Sequence, residues 1–115
     1  MIRDIEIAPS FDESAARFEG SFAKHIEAFL ERLTDDAQRD GVRFEPIREA
    51  KEREILSARV SKDLRAIAYR CADVLTLLWV DHHDRAYAWA RNRCVECHPV
   101  TGRVLRVYED TSDGD

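Results

Sequence analysis

The spacing of apolar residues changes along the chain and predicts two kinds of element. Between Ala15 and Leu33 apolar side chains recur every three or four positions, which is typical of one face of an amphipathic helix. From Ile55 onward the apolar residues fall instead into short runs rich in Val, Ile and Leu, as in β-strands. The helical stripe consists of Ala15, Phe18, Phe22, Ile26, Phe29, Leu30 and Leu33. We therefore predict an α+β fold.

Three β-like runs form the centre of the chain, and Ser-Lys-Asp and Ala-Asp separate them as turns would. They are Ile55–Val60, Leu64–Cys71 and Val74–Val80. Weaker apolar patterns predict a first strand around Ile5 and a last strand around Val104–Tyr108. We expect these strands to form one small antiparallel sheet.

The N-terminal helical stripe is interrupted at Gly20-Ser21. We predict a short helix, a break, and a longer helix from Ser21 to about Gln38 with Ser21 as its N-cap. This helical hairpin is expected to pack on one face of the sheet. A further short helix is predicted up to about Arg91, with Trp79 and Trp89 as core or interface aromatics.

The length and composition predict one soluble domain over residues 1–109 and an acidic, disordered tail over 110–115. The chain has 115 residues, of which 36% are charged and 44% apolar. No apolar run reaches the length of a transmembrane helix, and the N-terminus lacks the pattern of a signal peptide. We predict a cytoplasmic location by default.

The charge is unevenly spread, although the net charge is −5. Residues 41–70 carry 8 basic and 5 acidic side chains, so this stretch alone is positive. A phosphate ligand would need that surplus. The run REAKERE in this stretch is either a solvated connector or a source of backbone-phosphate contacts through Arg48, Lys51 and Arg53.

Side chains suited to RNA chemistry cluster on the central strands and directly after them. His82 and His83 can exchange protons near neutral pH. Arg65 can bind two phosphate oxygens, and Tyr87 can stack on a base. Arg59 and Lys62 add positive charge. Two alternatives stay open: neighbouring carboxylates hold the histidines as structural groups, or Arg65 pairs with an aspartate, Asp63 or Asp81.

The three cysteines predict no disulfide framework, in keeping with a reducing compartment. Cys71 is expected in the core. The motif Cys94-Val95-Glu96-Cys97-His98 matches a haem-attachment pattern, which we discount for a cytoplasmic chain. Zinc bound by the two motif cysteines and a histidine is an alternative function. We expect no metal and no cofactor.

Together these residues resemble the RelE/ParE toxin superfamily. Ser57-x-Arg59-Val60-x-x-Asp63-x-Arg65-Ala66-Ile67 is similar to its strand-pair motif, and Val80-x-His82-x-x-x-x-Tyr87 to its closing segment. The likeness is greatest to a subgroup with LLWVDHHDxAYxWA and HPxTG, which is also found fused to UvrD-type helicases. These patterns stand here at residues 77–90 and 98–102.

The resemblance implies a RelE/ParE-like fold and the toxin of a type II toxin–antitoxin system with a cognate antitoxin. For an mRNA interferase it implies metal-independent cleavage by the 2′-hydroxyl, on the ribosome in some members. Members also include gyrase inhibitors and inert modules, so a gyrase- or helicase-binding role is the alternative. The catalytic candidates are Arg65, His83, Tyr87 and His82, and the RNA-binding candidates are Arg59, Lys62, Lys51 and Arg48. His83 departs from the basic residue usual at its position.

Overall fold

A computed structural model of the chain describes residues 2–109, without the side chain of Asp36. The predicted tail, 110–115, lies outside these residues. The elements in chain order are β1 (Asp4–Ile7), α1 (Pro9–Ala15), α2 (Gly20–Thr34), α3 (Asp36–Arg39), β2 (Glu45–Pro46), β3 (Ile55–Arg59), β4 (Leu64–Cys71), β5 (Val74–His82), α4 (His83–Arg91), β6 (Arg93–Cys97) and β7 (Val104–Glu109). Within residues 2–109, no helix has the length and apolar character needed to cross a membrane.

The main sheet has five strands in the order β1-β5-β4-β3-β2. Strands β3, β4 and β5 pair antiparallel with one another, as predicted from the apolar runs, and the short strand β2 adds an antiparallel edge that was not predicted. β1 instead lies parallel to β5, so the sheet is mixed, and the predicted last strand, β7, pairs with β6 outside this sheet. The helical segment that follows β1 carries the chain across one sheet face, and an edge strand reached by such a crossover can be parallel. The predicted α+β class is confirmed.

Both faces of the sheet are covered, because side chains alternate between the two faces along each strand. Helices α1 and α2 cover one face through buried residues that include Phe11, Ile26, Phe29 and Leu33. Phe18 and Phe22 of the predicted stripe lie half-buried at its margin. α4 and the β6–β7 hairpin cover the other face, where Ala86 and Ala90 are fully buried.

The observed helix α2 differs from the predicted long helix at both ends. Its N-cap is Glu19 rather than Ser21, and Gly20 begins the helix with a φ of +62°, which glycine adopts at little cost. It ends at Thr34 because Asp35 is extended, with a ψ of 112°. The Asp35 carboxylate accepts a hydrogen bond of 2.9 Å from the N–H of Ala37 and caps the separate turn α3.

Helix α1 closes part of the sheet edge. β1 ends at Ile7, whereas β5 continues to His82 and leaves backbone groups without a strand partner. The Ser10 hydroxyl donates to the carbonyl oxygen of Leu78 at 2.6 Å, and the N–H of Val80 donates to the Ser14 hydroxyl at 3.0 Å. Two serines, one helical turn apart, therefore satisfy the edge of β5.

A disulfide joins Cys71 at the end of β4 to Cys97 at the end of β6. The prediction of no disulfide was wrong, and Cys71 is half-buried rather than a core residue. β6 was not predicted, because its apolar alternation is short and its two cysteines suggested a ligand motif.

Candidate functional site

A cleft opens between the β2–β3–β4 side of the sheet and the start of α4. Its volume is about 300 Å³. The residues that line it are Arg43, Glu45, Ser57, Arg59, Arg65, His83 and Tyr87. Four of the predicted site residues thus meet in one place, although they come from three different elements.

Strand register explains how the sheet places these side chains together. Arg59 of β3 lies directly opposite Arg65 of β4, and Glu45 of β2 lies opposite Ser57 of β3. Opposite residues share a face, as do residues two apart on one strand. The β2–β4 contribution to the cleft is therefore a polar patch on the sheet face that α4 covers.

The loop between β3 and β4 anchors the start of α4. The backbone N–H of His83 donates to the carbonyl oxygen of Asp63 at 3.0 Å. This bond satisfies one of the N–H groups that the first turn of a helix leaves without a partner. It also fixes the His83 backbone next to the strand pair that carries Arg59 and Arg65.

Arg65 is half-buried and held by backbone groups. Its Nη1 donates to the carbonyl oxygens of Ser61 at 2.8 Å and Leu64 at 2.9 Å. The predicted alternative of an Arg65–aspartate salt bridge was wrong for Asp81, because Asp81 is 3.2 Å from Arg17 Nη2. Carbonyl hydrogen bonds orient the guanidinium and do not neutralise its charge, although Asp81 lies opposite Arg65 in the β4–β5 register.

His83 and Tyr87 lie one helical turn apart on α4, and their ring centroids are 4.4 Å apart. The Nδ1 atom of His83 lies 3.0 Å from Oδ1 of Asp84. When Nδ1 carries the proton in this contact, Nε2 is the nitrogen that can exchange a proton with a ligand. The Tyr87 hydroxyl lies 3.3 Å from the Ser57 hydroxyl, which ties the ring to β3.

His82 does not belong to the cleft. Its ring packs edge-on against two aromatic rings of the α1–α2 region, with centroid distances of 5.6 Å to Phe18 and 5.3 Å to Phe22. His82 is the last strand residue and His83 the first helical one, so the chain turns between them. The catalytic role predicted for His82 therefore has no support from its position.

The remaining predicted RNA contacts lie outside the cleft. Lys62 is exposed in the β3–β4 turn, and Arg48 and Lys51 are exposed in the segment before β3. The backbone N–H of Lys51 donates to the carbonyl oxygen of Arg91, which ties this segment to the end of α4. Contact between these three side chains and RNA stays a prediction.

Sequence reasoning missed Arg43 and Glu45. Val42 and Phe44 alternate with them and pack against the core on the helical face. This alternation over four residues was a strand-like signal that places Arg43 and Glu45 on the opposite side. Pro46 weakens that signal, because proline lacks the N–H that a strand donates to its neighbour.

The zinc alternative requires Cys97 as a thiolate ligand. In the structure Cys97 is bonded to Cys71 instead. Nowhere in residues 2–109 do three side chains of the His, Cys, Asp or Glu type come close enough to hold a metal ion. The zinc-binding hypothesis therefore has no ligand set here.

The cleft concentrates positive charge in an otherwise acidic chain. Three arginines and one glutamate line it, whereas the whole chain has a net charge of −5. A concave site lined mainly by one sign of charge attracts ligands of the other sign. The site therefore suits a phosphate group next to one carboxylate and one imidazole.

Comparison with known proteins assigns the fold. The structure is similar to a chain of the toxin–antitoxin complex RelBE2 from Mycobacterium tuberculosis, with a TM-score of 0.54 and 18% identity over 72% of this chain and 100% of that chain. It also matches a conserved hypothetical protein from Helicobacter pylori, with a TM-score of 0.41, 15% identity and coverage of 73% and 97%.

No protein-family model and no curated protein matches the chain. The structural similarity shows that the chain shares its α+β fold with a chain of the mycobacterial toxin–antitoxin complex. The resemblance to the RelE/ParE superfamily predicted this fold. The finer likeness to the helicase-fused subgroup stays a prediction.

Proposed function

We propose that this protein is the toxin of a toxin–antitoxin pair and that it cleaves mRNA without a metal ion. The observation that most directly supports this proposal is that one cleft is lined by Arg59, Arg65, His83 and Tyr87. The shared fold with a chain of RelBE2, which was solved as a toxin–antitoxin complex, supports an antitoxin as the partner.

The proposed reaction is attack of an RNA 2′-hydroxyl oxygen on the adjacent phosphorus. The new O–P bond forms as the bond to the 5′-oxygen breaks, and a cyclic phosphate results. A base must take the proton of the 2′-hydroxyl, an acid must give a proton to the 5′-oxygen, and cations must stabilise the phosphoryl oxygens.

Glu45 is the only carboxylate among the residues that line the cleft, so we assign it as the base. His83 is the only lining imidazole, and we assign it as the acid. The Asp84 carboxylate holds the His83 ring through Nδ1, so Nε2 is the nitrogen left to give a proton to the 5′-oxygen. The two groups that transfer protons then come from β2 and α4, on opposite walls.

Arg59 and Arg65 face each other across β3 and β4, so both can contact one phosphate. Guanidinium groups suit this role because their N–H donors match phosphate oxygens in pairs. Tyr87 is half-buried, and we assign its ring as the surface on which one base rests. The Ser57 hydroxyl fixes the tilt of that ring.

The test is mRNA cleavage by purified protein in a translation extract, combined with growth on induced expression. We expect wild-type protein to cut mRNA and arrest growth. Glu45→Gln and His83→Gln should each reduce the rate by about 10²–10⁴, because each removes a positioned base or acid.

His25→Gln and Glu27→Gln are the matched controls, because both residues are exposed on α2, away from the cleft. Both controls should cleave at the wild-type rate. Wild-type protein that neither cuts mRNA with ribosomes present nor slows growth would contradict the proposal. The fold would then serve as an inert binding module.

A further inference from the structure

Packing of a few apolar side chains and one disulfide attach the β6–β7 hairpin to the rest of the protein. Two-stranded hairpins are marginally stable by themselves in water. Val95 and the partly buried Val104 and Val107 pack against the main sheet, and the Cys71–Cys97 disulfide adds a covalent link. Gly102 fits tightly, because a Cβ there would approach the Cys71 carbonyl oxygen to 2.7 Å. The disulfide and the turn thus hold the same end of the hairpin.

This hairpin is also the direct continuation of α4. α4 ends at Arg91 and β6 begins at Arg93, so one residue joins them. The Arg93 guanidinium lies 4.8 Å from the Trp89 ring centroid, and the Trp89 ring is stacked on Trp79 at 4.9 Å. The C-terminal half of α4 is therefore packed between β5 and β6.

We propose that the Cys71–Cys97 disulfide is a redox-sensitive latch that positions α4 on the sheet. Both sulfur-bearing residues are half-buried rather than enclosed, so a small dithiol can approach them. With the bond intact, β6 holds Trp89 and thereby the helix that carries Tyr87. With the bond reduced, β6 and the last turn of α4 loosen. The effect on the cleft rests on the proposed function, whereas the effect on α4 does not.

The reductant is a dithiol, either a small molecule or a dithiol protein. One of its thiolates attacks a sulfur of the Cys71–Cys97 bond and forms a mixed disulfide. Its second thiol then displaces the protein sulfur. Two electrons and two protons pass to Cys71 and Cys97, and the dithiol becomes a disulfide. The reverse step uses an oxidised dithiol of the same class.

The primary experiment is amide hydrogen exchange on the oxidised full chain and on the chain reduced with dithiothreitol, well below the melting temperature. We expect exchange at least about tenfold faster after reduction in β6, β7 and the last turn of α4, because local opening becomes easier. Strands β3 to β5 should exchange at unchanged rates. Exchange that stays the same everywhere, or speeds up equally everywhere, would overturn the latch.

Variants separate the latch from a general effect of the reductant. Cys71→Ser with Cys97→Ser should show the reduced pattern without dithiothreitol and should melt roughly 10–20 °C lower than oxidised wild type, as loss of a disulfide loop predicts. Cys94→Ser is the matched control, because it lies on β6 outside the disulfide and should respond to dithiothreitol like wild type. If Cys94→Ser abolishes the response, another sulfur pairing holds the hairpin and the proposal is wrong.

A second measurement links the latch to the cleft. A short RNA analogue with a 2′-deoxy nucleotide at the cleavage site is titrated by fluorescence anisotropy. Binding should weaken by about three- to tenfold on reduction, because Tyr87 loses its fixed position. Binding that is equal in both states would limit the latch to α4 stability and overturn its positioning role. Failure of the RNA to bind in either state would contradict the proposed function, while the exchange result still decides the latch.

Discussion

Individual side chains decide which parts of the polar surface belong to the cleft. Both Arg59 and Lys62 are exposed, but only Arg59 lines the cleft, whereas Lys62 lies in the turn three positions further along the chain. The sequence alone could not separate these two cations, because both flank the same strand pair. The same limit applied to His82 and His83, which are adjacent in the chain but face different neighbours.

The contrast between Arg59 and Lys62 yields a salt-dependence prediction. Each phosphate contact contributes about 0.7 to the slope of log affinity against log salt for a single strand. Arg59→Gln should reduce the slope for the deoxy-substituted RNA by about that amount, and Lys62→Gln should reduce it by less, because Lys62 lies outside the cleft. Anisotropy titrations at several salt concentrations measure both slopes. An equal loss in Lys62→Gln would place the turn within the binding surface.

Tyr69 gives a pH prediction that does not depend on function. Burial raises the pKa of its phenol above the usual value, with smaller contributions from Glu52 and Glu54. The fold therefore favours the neutral phenol. The resulting stability is fully present below the unfolded pKa of about 10 and is lost as the pH rises through the higher folded pKa.

Tyr69→Phe cannot ionise, so its stability should fall less steeply than that of wild type above about pH 10. Urea unfolding at a series of pH values gives the two curves. Comparing each protein with its own stability at pH 7 corrects for the loss of the hydroxyl. Parallel curves up to the highest pH would show that Tyr69 does not carry this effect.

Among the elements, the predicted strands β3, β4 and β5 were confirmed nearly to the residue, and α4 was confirmed with its end at Arg91. Short apolar runs between turn residues made these strands visible. The parallel pairing of β1 was not predictable, since strand direction depends on the path of the chain and not on apolar alternation. The cleft was predictable in part: Arg59, Arg65 and His83 were found, while Arg43 and Glu45 were missed in the short segment before Pro46.

Serines on α1 and α2 allow a matched test of how buried and exposed serine hydroxyls contribute to stability. Ser14 is fully buried, and its hydroxyl accepts the N–H of Val80. Ser14→Ala leaves that N–H buried without an acceptor and should cost about 1–3 kcal/mol of unfolding free energy. Ser21→Ala, at the exposed position once expected to be an N-cap, should change stability by less than about 0.5 kcal/mol.

Chemical denaturation with urea measures both serine variants. Ser10→Ala provides an intermediate case, because Ser10 is half-buried, whereas Ser14 is fully buried. A Ser14→Ala protein as stable as wild type would mean that water reaches the β5 edge through α1.

At the scale of the whole molecule, two packed faces stabilise one sheet. The helical face takes most of the large residues, whereas the α4 face relies on alanines that allow the helix close to the strands. Phe29 lies at the centre of the first face with no exposed surface, and Phe22 lies at its margin. The predicted stripe therefore lies on the side of the helix that faces the sheet, but its residues are buried to different extents.

Phe29→Ala should lower the unfolding free energy by about 3–5 kcal/mol, because it leaves a cavity in the core. Phe22→Ala should cost less than half as much, since its ring is partly solvated and the margin can relax. Thermal and urea unfolding of the two variants give the comparison. Equal losses of unfolding free energy in the two variants would show that α2 turns a different face toward the sheet.

Strand β2 ends the sheet beside the cleft and is only two residues long, one of which is Pro46. Proline lacks the N–H that another strand would bind, so this edge resists extension by a neighbouring molecule. Two copies of the protein are therefore poor partners for edge-to-edge strand pairing at β2, next to the arginines of the cleft. A partner that blocks the cleft through side chains would contact Arg43 or Arg59, so a charge reversal at either arginine should weaken its binding in a titration of the two purified proteins.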